Sequence, residues 1–470
     1  MSDTLSPPVF RPAVPPRREG PLPLVPFLWH SWRDPLGTWS RRHFEEPQLY
    51  GEGPLGSVIV VSHPAGVRHV LTDNAANYRK GDLQRRILGP LLSEGLLLTE
   101  GDVWRRGRRI LAPLFTPARM RGLTTRMAEV CAARVSGWDL KFGPQVMDID
   151  SQMSTLTFEI LSATLFSDEL GGEAAGFEKA LNRYLSIGAR IDPLDVLDAP
   201  DWIPRLGRLA SYQSAVFFEK RVAALVAARR ARIESGDAAP QDLLSALLSA
   251  RDEADGSALS DREVSANILT FILAGHETTA RTLGWALHLI SRSPEAAARL
   301  RTEADGFDVS DPAWADNLAW TRAVIEESMR LFPPAPTLER TAIGPDVIEG
   351  PGVEPQAIKA GTMVIISPWV LHRHERLWDD PSAFRPERFL PENRKSIDRY
   401  AWIPFSAGPR VCIGATFALQ EAMIALATIL KVAEIEPITA VEPRPVHQIT
   451  LRSRETMRLR LRARDGRAAA

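Results

Sequence analysis

Phe405-Ser-Ala-Gly408-Pro-Arg410-Val-Cys412-Ile-Gly414 is followed at once by a run, Ala415 to Lys431, whose apolar residues lie nearly all round a helical wheel. A helix of that character is buried. A cysteine just before its N-terminus sees the positive end of the macrodipole, which favours the thiolate. The unpaired N–H groups at that end can donate to the sulfur and tune a metal bound to it. Gly408 and Gly414 permit turns and a close backbone approach that a Cβ would block. The commonest fate of a free cysteine is to serve as a small buried hydrophobe. Cys131, in the helical AEVCAARV, is expected to be one. The pattern around Cys412 argues against that fate there.

The longest helical pattern begins at Ser260, where Ser260 and Glu263 form a capping box, and runs to about Ser291. At ~30 residues it would be ~45 Å long, enough to cross the molecule. Ile268, Leu269, Phe271, Ile272, Leu273, Leu283, Trp285 and Leu289 spread over most of its circumference, so it too should be buried. Midway sits Ala274-Gly275-His276-Glu277-Thr278-Thr279. Glycine inside a helix costs roughly 1 kcal/mol against alanine and needs a packing or functional reason. Thr278 can bond back to the Ala274 carbonyl and bend the helix, opening a groove beside it. Glu277 is costly in apolar surroundings unless solvated or paired. An acid beside an alcohol makes a proton-delivery pair, while the same residues also suit a capped kink with the acid on a far face.

Working outward, a second helix over about Trp320–Leu331 stops at Pro333–Pro334 and carries Glu327 and Arg330 three residues apart. Ser57–Ser62 and Met363–Ser367 read as strands, and Met457–Arg462 alternates apolar and arginine residues as an edge strand would. Residues 103–300 are mostly helical. Residues 376–411 show little periodicity, and a segment of that kind in a compact domain is usually functional. No repeat of 20–50 residues is visible. The expected organisation is a proline-rich lead-in over residues 1–25 and one catalytic domain over 26–470, mainly α with small β-sheets.

The 470 residues are 44% hydrophobic and 24% charged with a net charge of −1, so nothing global points to nucleic acid or an anionic membrane. Two cysteines make no disulfide framework and fit a reducing compartment. Pro21–Trp29 is too short to span a bilayer and no cleavable leader is visible, so a cytoplasmic protein without a transmembrane anchor is expected.

Phe-x-x-Gly-x-Arg-x-Cys-x-Gly is similar throughout to the signature loop of the cytochrome P450 family, through Phe405, Gly408, Arg410, Cys412 and Gly414. The resemblance spans about Arg18 to Arg462 and implies that family's single, triangular-prism-like domain. It implies haem b with Cys412 as the axial thiolate, which pushes electron density toward O–O cleavage, and Arg410 at a propionate. Ala274-Gly275-x-Glu277-Thr278 resembles the family's oxygen-side motif. That likeness gives Thr278 the task of holding the oxygen species and its water, and Glu277 that of relaying protons, with no catalytic role for His276 or Thr279. Glu327-x-x-Arg330 with Arg388 resembles a buried network that fixes the cysteine loop. Trp104-x-x-x-Arg108 and Arg340 resemble propionate contacts, and Ala335–Leu338, Asp82–Leu98 and roughly Phe177–Phe218 fall where the substrate pocket is lined.

Residues 105–126 hold seven arginines and no acid, and the resemblance puts them on the cysteine side of the haem. The implied activity is two-electron activation of O2 and insertion of one oxygen atom into a hydrophobic small molecule, by hydroxylation or epoxidation. Electrons would come from a separate ferredoxin- or flavodoxin-type donor and its NAD(P)H-dependent reductase, steered by that basic run. Two rivals are a peroxide-using haem-thiolate peroxygenase, against which Glu277–Thr278 argues, and a non-catalytic haem sensor or carrier.

Overall fold

The computed structural model describes residues 9–53, 56–92, 94–169, 174–184, 187, 192–197, 199–200, 202–438 and 442–464. Its strands are β1 (Gln48–Gly53), β2 (Gly56–Val61), β3 (Tyr78–Lys80), β4 (Gln145–Asp148), β5 (Leu338–Ala342), β6 (Asp346–Gly350), β7 (Val353–Ile358), β8 (Met363–Ile366), β9 (Ala433–Pro437), β10 (Pro445–His447), β11 (Leu451–Ser453) and β12 (Arg458–Ala463). One five-stranded sheet runs in the order β1-β2-β8-β5-β3, and the remaining strands form small sheets around a helical body. The two strands read from the β-branched runs, β2 and β8, lie side by side and parallel. The alternating C-terminal run is not an edge: β12 is the middle strand between β4 and β9. Of its outward-pointing arginines, Arg460 and Arg462 meet Glu434 and Glu436 of β9, so much of the polar face that suggested an edge is ion-paired to a neighbour.

A central helix, Asp261–Ser291, starts at its predicted cap. The Ser260 hydroxyl accepts from the Glu263 backbone N–H at 3.2 Å, and the Glu263 carboxylate accepts from the Ser260 N–H at 2.8 Å. The helix packs against helices Ile149–Leu165, Leu206–Glu234, Ala319–Leu331 and Ala415–Val432. Trp285 stacks on Phe332 with ring centroids 3.9 Å apart. Thr278 does donate to the Ala274 carbonyl, at 2.7 Å, yet the helix stays α-helical throughout. The expected break is therefore absent, because a threonine hydroxyl can share a carbonyl without displacing the backbone donor.

Helix Ala415–Val432 is long and apolar enough to cross a membrane, but it is a core helix, with Ile424, Ala425, Leu426 and Ile429 without exposed surface. Phe177 and Phe218, the ends of the segment expected to line a substrate pocket, pack 5.6 Å apart in a buried aromatic cluster and so build core. Residues 185–186, 188–191, 198 and 201 of that segment lie outside the described residues.

The helix Ala319–Leu331 bolts the irregular chain ahead of the cysteine loop to the body. Arg330 donates through Nε to Glu327 Oε2 at 2.6 Å and through Nη2 to Oε1 at 2.8 Å, with neither side chain exposed. Its other donors reach the carbonyls of His372 (2.9 Å), Pro381 (2.8 Å) and Ala383 (2.9 Å). Glu327 Oε1 also accepts from the Arg385 N–H at 2.8 Å and lies 3.8 Å from Arg388 Nε. All three residues expected in this network are in it. Breaking one partner of a buried pair costs ~3–5 kcal/mol because the other charge is stranded. Glu327→Ala should therefore lower the thermal midpoint and yield protein with little haem, checked by calorimetry and by haem content per chain.

Candidate functional site

The loop before helix Ala415–Val432 turns tightly around its own backbone. Gly408 sits at φ +68°, and a Cβ there would overlap the Leu71 carbonyl oxygen, so this glycine is obligatory for the close approach. Gly414 is different: its φ is −92° and a Cβ would meet no protein atom. Its part is to give its N–H to the Cys412 sulfur, while the Cys412 N–H donates to the Phe405 carbonyl at 2.9 Å. Cys412 keeps accessible surface although protein surrounds it closely. That burial pushes its thiol above the usual range, and the Gly414 N–H and the Arg108 guanidinium only partly oppose it. Burial, the Gly414 N–H and Arg108 together thus do not favour a thiolate here. A coordinated metal ion would. Cys131 is fully buried and inert, its thiol pushed up by burial.

Facing this loop's helix, the central helix is buried along nearly its whole length, yet Ala274 is exposed and Gly275 and Thr278 are half-exposed. An interior opening at the small residues, rather than a backbone bulge, forms the groove expected from the sequence. Gly275 has a packing reason as well, since a Cβ would press to 3.0 Å from Leu161. His276 is fully buried against Phe158, and burial lowers its pKa to about 4. Thr279 is buried beside Glu421, whose carboxyl burial keeps well above the usual range.

Glu277 turns away from that opening. It is 1% exposed and accepts from Arg281 Nε at 2.9 Å, Arg452 Nε at 2.8 Å and the Thr450 hydroxyl at 2.9 Å. Arg281 Nη1 donates on to Asp150 at 2.7 Å. Burial raises the Glu277 carboxyl, but Arg281 and Arg452 outweigh it and hold the group well below the glutamate range. The i,i+4 spacing of Glu277 and Arg281 was available in the sequence as a clue to this pairing. Arg452 and Asp150 arrive from distant strand and helix positions.

The cations expected at the propionates do converge. Arg410 lies over the Trp104 ring at 3.9 Å and donates to Glu100 at 2.6 Å and to the Thr99 carbonyl at 2.8 Å. Burial lowers its pKa to about 10. Arg108 interacts with Cys412, and buried Arg340 with Glu100. Sequence reasoning missed Lys80, which joins the cluster through the pairing of β3 with β5, and Glu100, whose carboxylate just ahead of helix Gly101–Leu111 accepts from Arg410 and from the Lys80 N–H. A haem fits these residues: an accessible thiol that takes the Gly414 N–H, small side chains on the facing helix, and guanidinium groups that outnumber nearby carboxylates. The cavity of about 660 Å³ between helices Thr124–Ser136 and Ile149–Leu165 is lined by ion-paired side chains such as Arg126 and Glu129 and holds none of these residues.

The basic run is largely neutralised. Arg105 pairs with Asp102, Arg106 with Glu263, Arg109 with Asp252, and Arg126 with Glu129 and Asp168. Asp102 and Glu129 flank the run, Asp168, Asp252 and Glu263 reach it from further along the chain, and Arg119 and Arg121 remain exposed.

Because Glu277 is held ionised, its stabilising effect is full above the ordinary glutamate pKa of about 4.3 and lost as pH falls toward its depressed value. Glu277→Gln should destabilise the protein by ~3 kcal/mol at neutral pH and flatten the decline in thermal midpoint below about pH 4.5, measured by scanning calorimetry from pH 7 downward.

The cytochrome P450 family model matches residues 54–458. The chain is 32% identical to pentalenene oxygenase of Streptomyces avermitilis over 457 residues, 95% of this chain and 96% of that protein. It is 32% identical to cyclooctatin synthase of Streptomyces melanosporofaciens over 398 residues, 84% of each chain. It is 30% identical to cyclooctat-9-en-7-ol 5-monooxygenase of the same organism over 446 residues, 92% of each. A crystal structure of a cytochrome P450 (CYP102L1) superposes with a TM-score of 0.78 at 26% identity, covering 96% of this chain and 100% of that one. With fold, loop and matches in agreement, the chain belongs to the cytochrome P450 family and is a haem-thiolate monooxygenase.

Proposed function

We propose that this enzyme oxygenates an apolar, terpene-like small molecule, using O2 and two electrons from a separate ferredoxin- or flavodoxin-type donor with its NAD(P)H-dependent reductase, in the cytoplasm. The observation that carries the reading is the Cys412 loop, whose sulfur takes the Gly414 N–H and stands open at the end of a buried helix. The relatives' names, pentalenene oxygenase and cyclooctat-9-en-7-ol 5-monooxygenase, support the substrate class. The peroxide-using alternative has less support, because Thr278 keeps an oxygen-side hydroxyl at the interior opening.

When bound through Cys412, the haem supplies an iron whose electron-rich thiolate ligand promotes O–O cleavage. Arg108, Arg340 and Arg410 would hold its carboxylates, and Phe405 and Trp104 would flank it. Ala274 and Gly275 leave room over the site. The Thr278 hydroxyl, anchored on the Ala274 carbonyl, orients a water and passes a proton inward. Glu277 reaches that route only if a guanidinium is exchanged, since Arg281, Arg452 and Thr450 occupy it. Proton supply through Glu277 therefore requires the network to open.

Cys412→Ser should abolish both the thiolate signature of the reduced carbonyl complex and product formation. Thr278→Ala should lower product formation by about a hundredfold while NAD(P)H consumption continues, as read by product per NAD(P)H oxidised. A terpene hydrocarbon panel should contain compounds that displace the iron-bound water in the optical spectrum, and no response across it would overturn the substrate class. With four arginines already paired, donor docking rests on Arg119 and Arg121. Turnover should fall with ionic strength, and Arg121→Glu should raise the KM for an acidic donor without changing substrate binding.

A further inference from the structure

Residues 9–18 run as a strap along the segment that Arg330 fixes. The Phe384 N–H donates to the Phe10 carbonyl at 2.9 Å, and Arg11 pairs with Asp380 at 2.6 Å. Further along, Arg17 pairs with Glu375 and lies over the Phe44 ring at 4.1 Å. Between strap and segment lies a cavity of about 270 Å³. Val14, Pro15, Phe44 and Pro381 give it apolar walls, and Arg17, Arg373 and Glu375 bring charge to it. Arg373 is the unusual member. It is 2% exposed, lies over the Trp369 ring at 3.7 Å and donates to the carbonyls of Trp369 and Leu331. Its Nε is buried with no hydrogen-bond partner, and no carboxylate pairs with it among the described residues. The charges that act on it most strongly are Arg330 and Arg17, and the acid that follows, Glu327, is already held in the Arg330 fork. Glu375 is half-exposed and answers Arg17. A buried guanidinium is costly unless an opposite charge reaches it.

We propose that this cavity is a binding site for a small organic carboxylate, taken by Arg373 and Arg17. The balance of charge selects an anion, since two guanidinium groups face one carboxylate there. Planar carboxylate oxygens match a guanidinium better than a spherical ion does. The apolar walls favour a short hydrocarbon tail over a fully hydrated anion such as phosphate. The Ser382 hydroxyl, in the same lining, is a further donor. The volume lies just under the ~300 Å³ at which ligand pockets begin, which suits a molecule of a few heavy atoms. An occupied site ties the strap to the segment leading into the cysteine loop without touching the residues that hold the haem. The inference does not depend on which substrate the enzyme oxygenates.

The test is isothermal titration of the haem-loaded enzyme with sodium butyrate, n-butanol and inorganic phosphate at fixed ionic strength, with the haem spectrum recorded alongside. Butyrate should bind one equivalent with a Kd on the order of 1 mM, about the strength a molecule of its size can reach. The haem spectrum should not change, which separates this site from a carboxylate on the iron. Butanol should not bind, and phosphate should bind more weakly than butyrate. Arg17→Glu, on the strap, should weaken butyrate binding about tenfold or more, and Arg373→Gln should abolish it. If Arg373→Gln does not fold, Arg17→Glu decides alone. No binding of butyrate, unchanged affinity in Arg17→Glu, or butanol bound as tightly as butyrate would overturn the proposal. Phosphate bound as tightly as butyrate would overturn the choice of a carboxylate.

Discussion

Arg330 spends all its donors in a place where it has no exposed surface: a fork onto Glu327 and three carbonyls from residues 372–383. Those carbonyls belong to chain without a strand ladder or a long helix of its own, so their acceptors must be satisfied from outside. One guanidinium does this and so fixes the path of the segment that leads into the cysteine loop. Glu327, through the Arg385 N–H and the nearby Arg388, holds the next turn. The loop then needs little internal hydrogen bonding to stay in place. The tight approach at Gly408 and the Phe405–Cys412 backbone bond complete it.

Two other ionic clusters flank the site, and their balance separates their roles. Glu277 and Asp150 face Arg281 and Arg452, two acids with two bases, linking the central helix to helix Ile149–Leu165 and to β11. Such a cluster is complete in itself and stiffens the helix that carries Thr278. Around Trp104 the tally is unequal, since Lys80, Arg108, Arg340 and Arg410 gather about Glu100. A protein interior tolerates surplus charge of that kind where a ligand supplies the opposite sign.

Much of this was legible in the residues. The capping box marked the start of the central helix to the residue, because Ser and Glu three apart satisfy end groups locally. Two β-branched runs became adjacent strands, and Glu327, Arg330 and Arg388 met as the motif implied. Alternation could not reveal that β12 lies inside its sheet, since ion-paired and solvated arginines look alike in a sequence. Nor could the arginine run disclose the acids that neutralise it, which come from as far away as Asp252 and Glu263.

What the amino-acid order determined by itself is the set of local facts: helix caps, buried helices, the glycine turn and the cysteine that follows it. These depend on neighbours a few residues apart, and short-range periodicity and capping report them directly. Tertiary structure alone decided which charges meet, turning Glu277 toward Arg452, 175 residues away, and setting Lys80 across from Arg340. Electrostatic partnership falls off with distance in space, not along the chain, and only the folded sheet and helix packing establish that distance.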